Sequence, residues 1–104
     1  MLSLFKKYPS VTTMELAELA KGNITLLDVR TPSEYQGGHI AKARNVPLNT
    51  IDSYQATKDQ PVYIICQSGM RSKQATRILS KKGVEAINVR GGMSQWHGLT
   101  KKGK

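Results

Sequence analysis

Residues 62–72 constrain the fold more than any other stretch of the chain. Val62, Tyr63, Ile64 and Ile65 form an apolar, strand-favouring run after Pro61; the run ends at Cys66, and a short loop containing Gly69 follows. From Arg71 to about Lys82 the pattern turns helical, with Ala75, Ile78 and Leu79 on one face and Lys73, Arg77, Lys81 and Lys82 on the other. An apolar run without polar alternation suits a strand covered on both faces, as in a parallel sheet. Strand, cysteine, tight loop and helix in that order aim unpartnered helix N–H groups at a sulfur atom.

The flanking sequence repeats this alternation. Thr12-Thr13-Met14-Glu15 and Thr31-Pro32-Ser33-Glu34 both have capping-box spacing, the second with Pro at the first helical position. They predict a helix over about 13–21, stopped by Gly22, and one of little more than a turn before Gly37 and Gly38. Residues 24–29 and 84–89 predict strands, 43–46 a short strand, 49–54 a loose helical turn, and 93–97 a last short helix. The expected fold is α/β, a mainly parallel central sheet flanked by helices. In such sheets sites form beyond the C-terminal ends of strands, where Cys66 falls. At 104 residues the chain is expected to be a single domain, 1–104, with the basic tail 100–104 a frayed end.

One cysteine cannot form an internal disulfide, and with only two histidines it makes a poor metal site, so neither metal nor cofactor is expected. Cysteines facing a helix N-terminus are shifted from about 8.5 into the range of roughly 3.5 to 7.5, and Arg71 and Lys73 add positive charge nearby. The competing reading is a core thiol at a strand end, since free cysteine is often buried. The Ser68-Gly69 turn, Arg71 and the following helix weigh against it. The net charge of +9 attracts anions, whether small substrates, an acidic protein partner or nucleic acid, although much of it is read as solvated lysine. No run approaches the roughly 18 apolar residues of a membrane span. The apolar part of residues 1–7 is too short for a signal peptide, so the expected location is the cytoplasm, whose reducing conditions suit a free thiol.

Three stretches in order resemble the rhodanese family of sulfurtransferases. Cys66-Gln67-Ser68-Gly69-Met70-Arg71-Ser72 is similar to its active-site loop, in which a cysteine opens a ring ending in arginine. Leu27-Asp28-Val29-Arg30, Glu34-Tyr35 and Gly38-His39-Ile40, with Ala43, Asn45 and Pro47, resemble its N-terminal signature. Val89-Arg90-Gly91-Gly92 and Trp96 resemble its C-terminal one. The match covers about residues 10–99. Gln67 departs from the basic residue common after the cysteine, and Lys42 stands where glycine is common.

The resemblance implies a two-step reaction. The Cys66 thiolate takes the outer sulfur of a small anionic donor such as thiosulfate, and an external thiol or cyanide removes it from the resulting persulfide. Loop N–H groups from Gln67 to Arg71 would hold the persulfide's charge, and Arg71 and Lys73 would orient the donor. With no second cysteine, the acceptor must come from outside the chain. Asp28 and Arg30 are read as a structural ion pair, and His39 and His97 as hydrogen-bonded structural residues. Gly91 and Gly92 are read as a tight turn supporting the loop, and Trp96 as a core aromatic beneath it. Three other readings stay open. The first is a sulfur carrier or docking module that hands its persulfide to a partner protein. The second is a dual-specificity-type phosphatase or arsenate reductase; the related loops of such enzymes keep five residues between Cys and Arg, where this chain has four. The third is an RNA-directed protein, opposed by the few aromatic residues and the lack of a recognisable RNA module.

Overall fold

The computed structural model describes residues 8–57 and 59–104; residues 1–7, read as too short an apolar segment for a signal peptide, lie outside them. Among the described residues five parallel strands form one sheet: β1 (Ser10–Val11), β2 (Thr25–Asp28), β3 (Arg44–Asn45), β4 (Val62–Ile65) and β5 (Ala86–Val89). Their order across the sheet is β1-β5-β4-β2-β3, which puts β4 at the centre. Helices α1 (Thr13–Leu19), α2 (Pro32–Gly37) and α3 (Met70–Lys81) flank it, with 3₁₀ turns at Leu48–Ser53 and Gly92–Gln95.

The central position explains the unbroken apolar run of β4. Val62, Ile64 and Cys66 point to one face, where they pack with Leu27, Ala75 and Leu79 beneath α3. Tyr63 and Ile65 point to the other and pack with Leu16, Leu26 and Val89 beside α1. Alternate residues thus enter two cores, so every position must be apolar. Ile64, Ile65, Leu16 and Leu79 are fully covered, each burial contributing about 1.5–3 kcal/mol.

Both capping boxes form. Thr12 Oγ1 accepts from Glu15 N at 3.1 Å while Thr12 N donates to Glu15 Oε1 at 2.8 Å. Thr31 and Glu34 repeat the arrangement at 3.2 and 2.9 Å. Helix α1 stops before 21 because its last N–H groups switch to i−3 acceptors, Lys21 N to Glu18 O and Gly22 N to Leu19 O. Strand β1 has no counterpart in the sequence reading, since two residues are too few to show a period. Its pairing is secured by Asn88 N to Pro9 O and Arg90 N to Val11 O.

The tail corrects an expectation. Lys101 is not frayed: its N–H donates to His39 O at 2.7 Å and its carbonyl accepts from His39 N at 2.9 Å. Gly103 N reaches Gln36 O at 2.8 Å. Backbone groups make these bonds, and a lysine-rich composition carries no sign of them. Among the described residues no helix is long and apolar enough to cross a membrane.

Candidate active site

Cys66 leaves the end of β4 and is fully covered, with Gln67, Ser68 and Met70 exposed around it. At Gly69 the backbone takes φ 103°, a left-handed value that favours glycine. This turns the Gly69 N–H onto the Cys66 sulfur at 3.0 Å. Ser72 Oγ lies 3.3 Å from the same sulfur. Among the described residues no side chain caps α3, so its first N–H groups are left to face Sγ. Burial pushes the thiol up, but the hydroxyl of Ser72 and the N–H groups of Ser72, Gly69 and Ser68 outweigh it, and the thiol is held below its usual value. Covered though it is, the sulfur sits among donors aimed at it.

The turn after β5 holds the loop from behind. Gly91 and Gly92 have φ of 79° and 56°. A Cβ on Gly92 would come within 2.3 Å of Cys66 O, so the two backbones touch there. Met93 N donates to Cys66 O at 2.8 Å and Ser94 N to Gln67 O at 2.9 Å. With both carbonyls tied down on that side, the loop's N–H groups turn toward the sulfur. Trp96, half-buried, packs against the α1-side core and donates from Nε1 to Leu99 O at 3.2 Å.

Asp28 and Arg30 form a buried pair at the end of β2. Arg30 Nε and Nη2 donate to the Asp28 carboxylate at 3.0 and 2.8 Å. The same guanidinium reaches Gly38 O at 2.8 Å and Gln67 Oε1 at 3.4 Å, joining the end of α2 to the cysteine loop. Asn45 Nδ2 donates to the carbonyls of Asp28 and Arg30, both at 3.0 Å. His39 is buried and stacks on Tyr35 at 3.6 Å between ring centroids, its Nδ1 2.7 Å from Tyr35 O. His97 departs from its reading: it is exposed and has no hydrogen bond among the described residues.

Arg71 is committed elsewhere than the sequence suggests. Its guanidinium forks onto Glu34, at 2.7 Å to Oε1 and 2.9 Å to Oε2. Arg71 beside it, helped by the Thr31 N–H, brings the Glu34 carboxyl down to about 2 although partial burial opposes this; Glu34 in turn raises Arg71. The hydrogen bonds of the loop are therefore the main cause of the lowered thiol, and Arg71 and Cys66 attract each other more weakly. Glu34 is the site residue the sequence reading missed in this role, having appeared only as a helix cap and within the N-terminal signature; no local spacing signals a pair 37 residues apart. Lys73 is exposed one turn along α3 and does not contact the sulfur.

The family model described as Rhodanese-like domain matches residues 12–99. The chain is 35% identical over 95 residues to the putative sulfurtransferase YtwF of Bacillus subtilis, covering 88% of this chain and 92% of that protein. It is 37% identical over 81 residues to the putative sulfur carrier protein YrkF of the same organism, covering 75% of this chain. It spans less than two thirds of the length of YrkF and of a further relative, 44% and 65%. The crystal structure of a rhodanese-like domain protein from Staphylococcus aureus superposes with a TM-score of 0.81 at 34% identity, covering 92% of this chain and 99% of that one.

Proposed function

Because the chain belongs to the rhodanese-like family of sulfurtransferases and sulfur carriers, we propose that it moves a sulfane sulfur from thiosulfate to an external thiol or cyanide through a persulfide on Cys66. The observation carrying this reading is the 3.0 Å bond from Gly69 N to the Cys66 sulfur, with the Ser72 hydroxyl alongside. A thiolate kept anionic by such donors is a nucleophile at neutral pH.

The thiolate attacks the outer sulfur of thiosulfate, a new S–S bond forms, and the donor's own S–S bond breaks. Sulfite leaves with the bonding pair, so one negative charge remains on the terminal sulfur of Cys66–S–S⁻. The uncapped N–H groups opening α3 supply pre-formed donors for that charge. Cyanide or a thiolate then attacks the terminal sulfur and the Cys66 thiolate departs. Only four residues separate Cys66 from Arg71, a ring suited to one sulfur atom rather than a phosphoryl group.

A second reading is carriage: the persulfide waits for one partner protein and small acceptors turn over slowly. It is favoured by the single cysteine, which leaves no internal thiol to resolve the persulfide, and by the relative named for sulfur carriage. Thiocyanate formation from thiosulfate and cyanide tests the enzyme. Saturable turnover that Cys66→Ser abolishes supports it; Cys66→Ser turnover near wild type refutes the role of Cys66. Loading without turnover transfers the assignment to a carrier. The expected location is the cytoplasm, and neither metal nor cofactor enters the scheme.

A further inference from the structure

Beside the cysteine loop, between α3 and the β1–β5 edge of the sheet, lies a cleft of about 450 Å³ that the sulfur chemistry does not use. Lys73 and Arg77, one turn apart on α3, and Arg90 at the end of β5 line it, with Tyr8 and Ser10. All three cations are exposed, and none forms an ion pair among the described residues. Arg90 makes only a small contribution to the lowered Glu15 carboxyl, which is governed mainly by the Thr12 N–H and hydroxyl. Asn88 also lines the cleft; it is 8% exposed, and its buried Oδ1 has no hydrogen-bond partner among the described residues. Buried polar side chains are nearly always paired, and this oxygen, itself covered, gains a donor when an occupant of the cleft turns the amide toward it.

The ligand must bring negative charge for the three cations and an N–H or O–H for Asn88. Inorganic sulfate supplies the charge and no donor; RNA supplies both through its phosphates and 2′-hydroxyls, but among the residues lining the cleft its bases find only Tyr8 to stack on. A polypeptide rich in aspartate or glutamate supplies both, carboxylates for the arginine forks and backbone N–H groups for the amide. Were the Asn88 amide turned over, a peptide carbonyl would satisfy it equally.

The cleft also adjoins the cysteine loop. Lys73 follows Ser72 in the chain and its N–H bonds to Gly69 O at 3.1 Å. A Cβ on Gly69 would lie 3.9 Å from the Arg90 Cα. We propose that this cleft seats an acidic segment of the protein with which the chain exchanges sulfur, an assignment that rests on the sulfurtransferase or carrier reading above. Docking there brings the partner's sulfur-bearing group to the loop and places the excess positive charge where it steers association.

The test is an NMR titration of the full chain with a short peptide alternating aspartate and glycine, beside its serine–glycine counterpart, inorganic phosphate and oligouridylate RNA. The Asn88 side-chain amide and the backbone signals of Lys73, Arg77 and Arg90 are expected to move saturably with the acidic peptide alone. Arg77→Glu, an exposed charge reversal, is expected to weaken that binding by at least about fivefold while thiosulfate-to-cyanide turnover stays within about twofold. Arg77→Ala gives a smaller loss in the same direction. An unmoved Asn88 amide, undiminished binding by Arg77→Glu, or RNA shifting the same signals at lower concentration overturns the assignment. Wild-type protein that neither loads nor turns over sulfur while the titration succeeds counts against the sulfur reading alone.

Discussion

The Ser72 hydroxyl lies 3.3 Å from the Cys66 sulfur, on the first turn of the helix that the cysteine loop leads into. Together with the N–H groups of Ser72, Gly69 and Ser68 it outweighs the burial that pushes the thiol up. Ser72→Ala is therefore expected to raise the thiol's midpoint in a pH profile of iodoacetamide alkylation. Its rate at pH 7 should fall by roughly tenfold, the weight of one hydrogen bond to a charged group.

Arg71→Ala is expected to move that midpoint less than Ser72→Ala, because its guanidinium is already forked onto Glu34. A larger shift from Arg71→Ala would show that its charge, and not the loop's hydrogen bonds, sustains the thiolate.

Glu34 gives a pH signature of its own. Its folded value of about 2 lies below the ordinary 4.5, so its contribution to stability is complete above 4.5 and is lost as pH falls toward 2. Glu34→Gln keeps the helix cap and removes the charge. The difference in melting temperature between wild type and this variant should close across that window. The pair is a third exposed, so the effect is that of a surface bridge, about 0–1 kcal/mol.

Much of this arrangement is legible in sequence, and the reason is locality. The β4 run, both capping boxes and the turn at Gly69 depend on residues within a few positions of one another. The Glu34–Arg71 fork, strand β1 and the bridge between His39 and Lys101 depend on distant segments meeting, and no local pattern encodes that. Likewise, cysteine and helix announce a lowered thiol, yet only the folded chain shows Arg71's charge already engaged.

Gly92→Ala is expected to abolish turnover and to destabilise the fold by roughly 1–3 kcal/mol from its backbone conformation alone, since φ is 56° and the added carbon would strike Cys66 O. Gly83→Ala is the control: φ is 87°, but a Cβ there meets nothing within 4 Å. It should lose stability and keep activity, as read by chemical denaturation and thiocyanate formation.

Asp28→Asn should cost about 3–5 kcal/mol, because it leaves the Arg30 guanidinium buried without its anion. Arg30→Met strands the carboxylate in the same way. The double variant should lose less than the sum of the two, which denaturant titration of all four proteins would reveal.

The central claim is that Cys66 carries the sulfur in transit. Mass spectrometry of the protein after incubation with thiosulfate tests it most directly. The account predicts a gain of one sulfur atom on the peptide containing Cys66, removed by cyanide and absent from Cys66→Ser. No added sulfur, or the same gain in Cys66→Ser, would contradict it.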